Sequence, residues 1–273
     1  MFTDTHCHLY LEQCAGDIEG VVQRAQEAGI QRMLVPGMDL ETSRQAIALA
    51  ETYESIFAAV GFHPTDAGKM NSQNLTELSR LVEHERVVAI GEIGLDYYWV
   101  KDAEQQKLQR QNLLLQVELA SQVDKPVVLH LREENDAEAG AATDDLLKIL
   151  KPWHDGLSAL KSRPGVFHSF NGNLESAQRA MAMNFCIGVT DPVTYKKNDS
   201  HRELVMHLPL DHILIETDSP FQTPLPHRGK HNEPAYVTLI ADKIAEVHQT
   251  TREAIAHVTT ANANRLFRWE ANV

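Results

Sequence analysis

The stretch DTHCHL, residues 4–9, decides between two folds. It overlaps the first of eight short β-rich apolar runs, at 2–6, 32–38, 56–64, 87–96, 126–132, 165–170, 185–190 and 212–220. Helix-like stretches lie between them. Such alternation suits a doubly wound open sheet or a (β/α)8 barrel. The open sheet wants a glycine-rich turn after its first strand, and DTHCHL has no glycine. The pattern therefore predicts a (β/α)8 TIM barrel, regular or distorted, with its functional groups at the C-terminal strand ends. No linker or composition break divides the chain, so residues 1–273 read as one domain.

The intervening stretches carry recognisable helix ends. One runs from Asp17 to Gly29, a residue suited to the position just past a helix. Another has Asn74 as its N-cap, with Glu77 three residues on as in a capping box. The longest, 103–122, aligns Leu108, Leu115 and Leu119. The acidic stretch EENDAEAG, 133–140, reads as a loop.

The totals exclude several classes. A net charge of −13, from 25 basic and 38 acidic residues, argues against a broad basic face for nucleic acid. Cys7, Cys14 and Cys186 form no C-x-x-C, which argues against a disulfide framework or a structural zinc knuckle and fits a reducing compartment. No apolar run approaches the roughly 18 residues of a membrane span, and the first residues lack a basic n-region and apolar h-region. The chain reads as soluble and cytoplasmic, without a membrane partner.

The strand ends are where polar residues gather: His6 and His8, His63, Glu92, His130, His168 and Asp218. In a strand, residues two apart share a face, so His6 and His8 aim at one spot. Each residue alone has a plain structural explanation. His63 could be a turn residue before Pro64, Glu92 could cap a helix, and Asp218 could be an N-cap. Their coincidence at one end of one barrel is harder to explain that way. Strand parity predicts that Val88, Ile90 and Glu92 share a face, as do Val128 and His130, Val166 and His168, and Leu214, Glu216 and Asp218. Asp4 and Glu216, one step deeper, either orient the histidines or bond backbone. Four imidazoles and two carboxylates, with His63 in reserve, exceed the three protein ligands of one catalytic zinc. They suit two divalent ions sharing a carboxylate.

Several motifs together resemble the TatD family of metal-dependent deoxyribonucleases, in the wider amidohydrolase-like superfamily. They are DTHCHL, GFHP (61–64), GEIGLDYY (91–98), H-x-R (130–132), FHSFNG (167–172), ETDSP (216–220), RGKHNEP (228–234) and NANRLF (262–267). The resemblance implies that His6, His8 and Asp218 hold one metal, that His130 and His168 hold the other, and that Glu92 bridges them. His63 would assist with substrate or leaving group. The implied activity is Mg²⁺- or Mn²⁺-dependent hydrolysis of DNA phosphodiesters, often 3′→5′ from ends or single strands, with Zn²⁺ acceptable to a purified sample. Asp218 would accept or steer a proton from the attacking water. Arg228 and Lys230 could hold a flanking phosphate or lie in a solvated loop, and Arg132 is a further candidate.

The chain departs from the family pattern in three places. His231 replaces an expected arginine, Asp191 replaces a small neutral residue, and the 133–140 loop adds four carboxylates near the presumed mouth. All three weaken a polyanion site. A two-metal enzyme for a small amide, lactone or ester is therefore the alternative, and a non-catalytic metal-binding scaffold the third reading.

Overall fold

The computed structural model describes residues 1–269. Eight parallel strands follow one another around a single sheet in chain order. They are β1 (Phe2–Asp4), β2 (Ile30–Pro36), β3 (Ile56–Val60), β4 (Val87–Asp96), β5 (Val127–Arg132), β6 (Gly165–Phe167), β7 (Cys186–Val189) and β8 (Ile213–Ile215). The last strand returns to the first through Thr5 N–H to Ile215 O, Asp218 N–H to His6 O and His8 N–H to Ser219 O. Those bonds form the seam of a (β/α)8 barrel. The helices are α1 (Glu12–Ala15), α2 (Ile18–Glu27), α3 (Leu40–Thr52), α4 (Ser72–Leu81), α5 (Ala103–Val123), α6 (Ala141–Gly156), α7 (Leu174–Met181), α8 (Asp199–His207), α9 (Val237–Val247) and α10 (Arg252–Phe267). None is long and apolar enough to cross a membrane.

Strand alternation sorts the apolar residues into two layers. Leu34, Phe57, Ala59, Val88, Val128, Val166, Cys186 and Leu214 pack in the interior. Val35, Ala58, Val60, Ile90, Leu129, Ile187 and Ile215 join the larger cluster that includes the helix faces. Beyond α10, Trp269 is fully buried in the inner cluster, its ring 5.3 Å from Phe57.

Three sequence expectations need correction. Val88 and Ile90 do not share a face, because β4 is irregular: its pairing with β3 steps from Val87 to Ala89, and its pairing with β5 slips again between Ile90 and Ile93. Each extra residue re-aims the strand beyond it, as a bulge does, and Glu92 enters the site within the second slip. The fourth helix begins at Ser72, with Asn71 rather than Asn74 as its cap, the Asn71 side chain accepting from Asn74 N–H at 2.9 Å. On α5, Leu115 is exposed, and the buried face is partly polar. Gln116 accepts from Phe62 N–H and donates to Phe62 O, while Gln109 does the same for Asp96. These amides satisfy backbone groups near the C-terminal ends of β3 and β4 that no neighbouring strand takes.

Candidate metal centre

Glu92 divides the site. Its Oε2 lies 3.3 Å from His6 Nε2 and 3.6 Å from His8 Nε2. Its Oε1 lies 2.8 Å from His130 Nδ1 and 3.6 Å from His63 Nε2. Asp218 Oδ1 closes the first side, 3.6 Å from both His8 Nε2 and His168 Nε2 and 4.0 Å from His6 Nε2. His168 stacks on His6 with ring centroids 3.3 Å apart, and His63 meets His130 edge-on at 4.4 Å. His168 and Asp218 come from loops, since β6 ends at Phe167 and β8 at Ile215.

The rings are turned by partners behind them. Tyr10 donates its hydroxyl to Pro36 O at 3.0 Å, so its oxygen accepts from His8 Nδ1–H at 2.9 Å. That leaves His8 Nε2 as a lone pair facing the cluster. Glu216 Oε1 takes the Nδ1 side of His168 at 2.8 Å, and Asp96 Oδ2 takes the Nε2 side of His130 at 3.0 Å. His63 is turned the other way: its Nδ1 accepts from Thr65 N–H at 3.3 Å and faces the Thr65 hydroxyl at 2.7 Å. The neutral ring therefore presents an N–H at Nε2 rather than a lone pair.

This packing sets the charges. Burial and repulsion from His6 lower His8 to about 4, and burial with repulsion from His130 lowers His63 to about 3. Burial also opposes charge on His130 and His168, but the carboxylates of Asp96, Glu92 and Glu216 overcome it and raise both to about 9. Burial would raise Glu92, yet the surrounding imidazoles hold it well below the usual carboxylate range. Asp4 does not touch an imidazole. It accepts from Thr217 N–H and hydroxyl, and burial pushes it up to about 7.

The donor set fits divalent cations. His6 Nε2 and His8 Nε2 face one another at 3.1 Å, and His6 Nδ1 is buried without a partner. A divalent cation between the two nitrogens would draw on both rings and leave His6 Nδ1 to carry the ring proton. Donor atoms close enough to share an ion are those of His6 with His8 and Asp218, and of His6 with His168 and Glu216; His63 also lies beside Glu92 and His130, but turns an N–H toward them. His130 and His168, assigned to one ion by the resemblance, are not drawn into a common group among the described residues. His130 is drawn toward Asp96, and His168 toward Glu216.

The surrounding loops modify the sequence reading. Arg228 and Lys230 are exposed; the Arg228 guanidinium sits 4.0 Å over the Tyr195 ring. Tyr195 donates to Gln222 O, and Gln222 donates its side-chain amide to Asp218 Oδ2 at 2.8 Å. Arg132 pairs with Asp136 at 2.8 Å. Asp191 does not charge the mouth: it is fully buried, accepts from Asn232, and burial pushes its pKa well up. In the acidic loop, Glu133 accepts from Ala142 and Thr143 N–H at the start of α6. Two of the three features that weakened a polyanion site are thus spent partly within the fold. Sequence reasoning left Asp96, Tyr10, Thr65 and Gln222 without roles. Asp96 stood inside GEIGLD, and Tyr10 lies two residues beyond His8, the spacing that marked the histidines themselves.

Known proteins resemble this chain along nearly its whole length. The family model described as TatD related DNase matches residues 3–268. An uncharacterized metal-dependent hydrolase of Bacillus subtilis, YabD, is 42% identical over 98% of this chain and 99% of its own. The 3′-5′ ssDNA/RNA exonuclease TatD of Edwardsiella piscicida is 32% identical over 97% of this chain and 98% of its own. The crystal structure of YjjV, a TatD homologue from Escherichia coli, superposes with a TM-score of 0.86 at 33% identity, covering 98% of each chain.

Proposed function

The chain belongs to the TatD related DNase family of metal-dependent hydrolases, and from that premise we propose that it hydrolyses phosphodiester bonds of DNA, 3′→5′ from single-stranded ends, with two divalent ions. The observation that carries this reading is the division of Glu92, one oxygen to His6 and His8 and the other to His130. His6, His8 and Asp218 would serve one ion and His130 and His168 the other, with Glu92 between. Oxygen donors of this kind suit Mg²⁺ or Mn²⁺, and the imidazoles also accept Zn²⁺. Bound ions would acidify a coordinated water and neutralise charge on the phosphoryl oxygens.

The remaining chemistry belongs to the side chains. Asp218, steadied at Oδ2 by Gln222, takes the proton of the attacking water on its Oδ1. His63 offers its Nε2–H to the leaving or a non-bridging oxygen, because Thr65 occupies Nδ1. Arg228 and Lys230 supply cationic contacts to a flanking phosphate. The test is nucleotide release from 3′-labelled single-stranded DNA with Mg²⁺ and then Mn²⁺, comparing native protein with Asp218→Ala. Metal-dependent release that disappears in the variant supports the reading. An ion-loaded protein that releases nothing overturns it, and small esters, lactones and amides become the substrates to screen.

A further inference from the structure

Two exposed aromatic residues are anchored by their backbone to carboxyl residues of the donor cluster, one on each side of Glu92. Trp99 is 68% exposed and Phe221 46%. Among the described residues they are the only exposed Trp, Phe or Tyr side chains. Each follows a site carboxylate by three residues and is tied to it. Trp99 N–H donates to Asp96 Oδ1 at 2.8 Å, and the other oxygen of that carboxylate faces His130. Phe221 N–H donates to Asp218 O at 2.9 Å, and its ring lies 6.0 Å from that of His8. Trp99 is also propped from behind. Tyr98 meets it edge-on at 4.9 Å, and the Arg132 guanidinium lies 3.8 Å over Tyr98.

Holding large apolar surface in water is unfavourable, and although the Arg132 guanidinium lies 5.7 Å over the Trp99 ring, both side chains remain largely exposed. A planar ligand would cover them. We infer that Trp99 and Phe221 are stacking platforms for unpaired nucleobases, one base on the His130 side and one on the His8 side of the scissile phosphate. The inference rests on the phosphodiester reading and deepens it. A scissile phosphodiester has a nucleoside on each side, which matches two platforms flanking one divided carboxylate. The charge balance points the same way. A chain of net charge −13 gains little from backbone electrostatics, so much of its grip on a strand must come from elsewhere. Stacking supplies it without sequence preference, since every base has a π face. Bases in a duplex are already stacked, so the platforms select single strands.

The experiment measures binding of a labelled, phosphorothioate-linked oligothymidylate to metal-loaded protein by anisotropy, beside the same strand with abasic positions. Native protein should prefer the base-bearing strand by about tenfold or more. Trp99→Ala and Phe221→Ala should each narrow that preference, Trp99→Phe and Phe221→Tyr should restore it, and binding should quench tryptophan emission in native protein but not in Trp99→Phe. An unchanged preference in both alanine variants, or duplex bound as tightly as single strand, overturns the platforms. A base preference without cleavage of the ordinary phosphodiester strand would keep the platforms and remove the nuclease reading. Cleavage without a base preference would do the reverse.

Discussion

Asp96 and His130 form a built pair: Asp96 Oδ2 sits 3.0 Å from His130 Nε2, and the ring it holds turns Nδ1 to within 2.8 Å of Glu92 Oε1. A carboxylate behind a ligand imidazole fixes its tautomer and raises its basicity. Asp96→Asn keeps the shape and the oxygen that accepts Trp99 N–H, but loses the charge. Affinity for Mn²⁺ or Zn²⁺ at the His130 side should fall about 10–100-fold. Titration against a competing chelator checks this, and unchanged affinity would reduce Asp96 to a turn residue.

Protons and metal compete for the same rings. His130 and His168 are raised to about 9, above the ordinary value of 6.5. In the metal-free protein both are charged at neutral pH, and an ion must displace a proton from each. Metal affinity should therefore rise from pH 6.5 toward about 9, with proton release on loading. Calorimetry in buffers of differing ionisation enthalpy reads that release directly. Stability linkage has a matching sign: these two groups stabilise the metal-free fold fully below 6.5, and that contribution is lost as pH passes through about 9. A pH-independent affinity across this window would contradict the assignment.

Replacing Glu92 tests the division itself. Glu92→Gln is nearly isosteric, yet it removes the charge that faces His6, His8 and His130. Loss should appear on both sides, not one, and exceed the roughly 10–100-fold typical of a residue behind a ligand. Elemental analysis after equilibrium dialysis should find both ions depleted. Depletion of one ion alone would mean that Glu92 serves a single site.

Local patterns were legible in the sequence, and departures from regularity were not. Alternating apolar runs and a glycine-free DTHCHL predicted the barrel, because parallel strands buried on both faces leave a continuous apolar signature. The histidines converged as expected, because strand ends in a barrel share one rim. Ile90 was misplaced because the slip of β4 against β3, between Val87 and Ala89, changes parity without changing composition. The glutamines of α5 look like a solvated face until the free backbone of Phe62 and Asp96 is known. Asp191 looked like charge at the mouth because burial by distant segments is invisible in a linear chain.

The second glycine of GEIGLD offers the sharpest structural test. Gly94 has φ +147 and pairs with His130 across β4 and β5. A Cβ there would lie 1.9 Å from His130 O, against backbone that cannot swing aside as a flexible side chain can. Strain from the dihedral adds to that overlap. Gly94→Ala should therefore cost about 3 kcal/mol or more, read as a lowered urea midpoint. Its damage should also reach function, because the displaced carbonyl belongs to the residue that carries the metal-facing ring. Metal affinity at the His130 side should drop even where the variant remains folded. Gly68→Ala is the control, since a Cβ at Gly68 meets nothing within 4 Å, and it should change stability by no more than about 0.5 kcal/mol. Equal midpoints for the two variants would mean that β4 can shift away from β5, and that the close approach at Gly94 does not hold His130 in place.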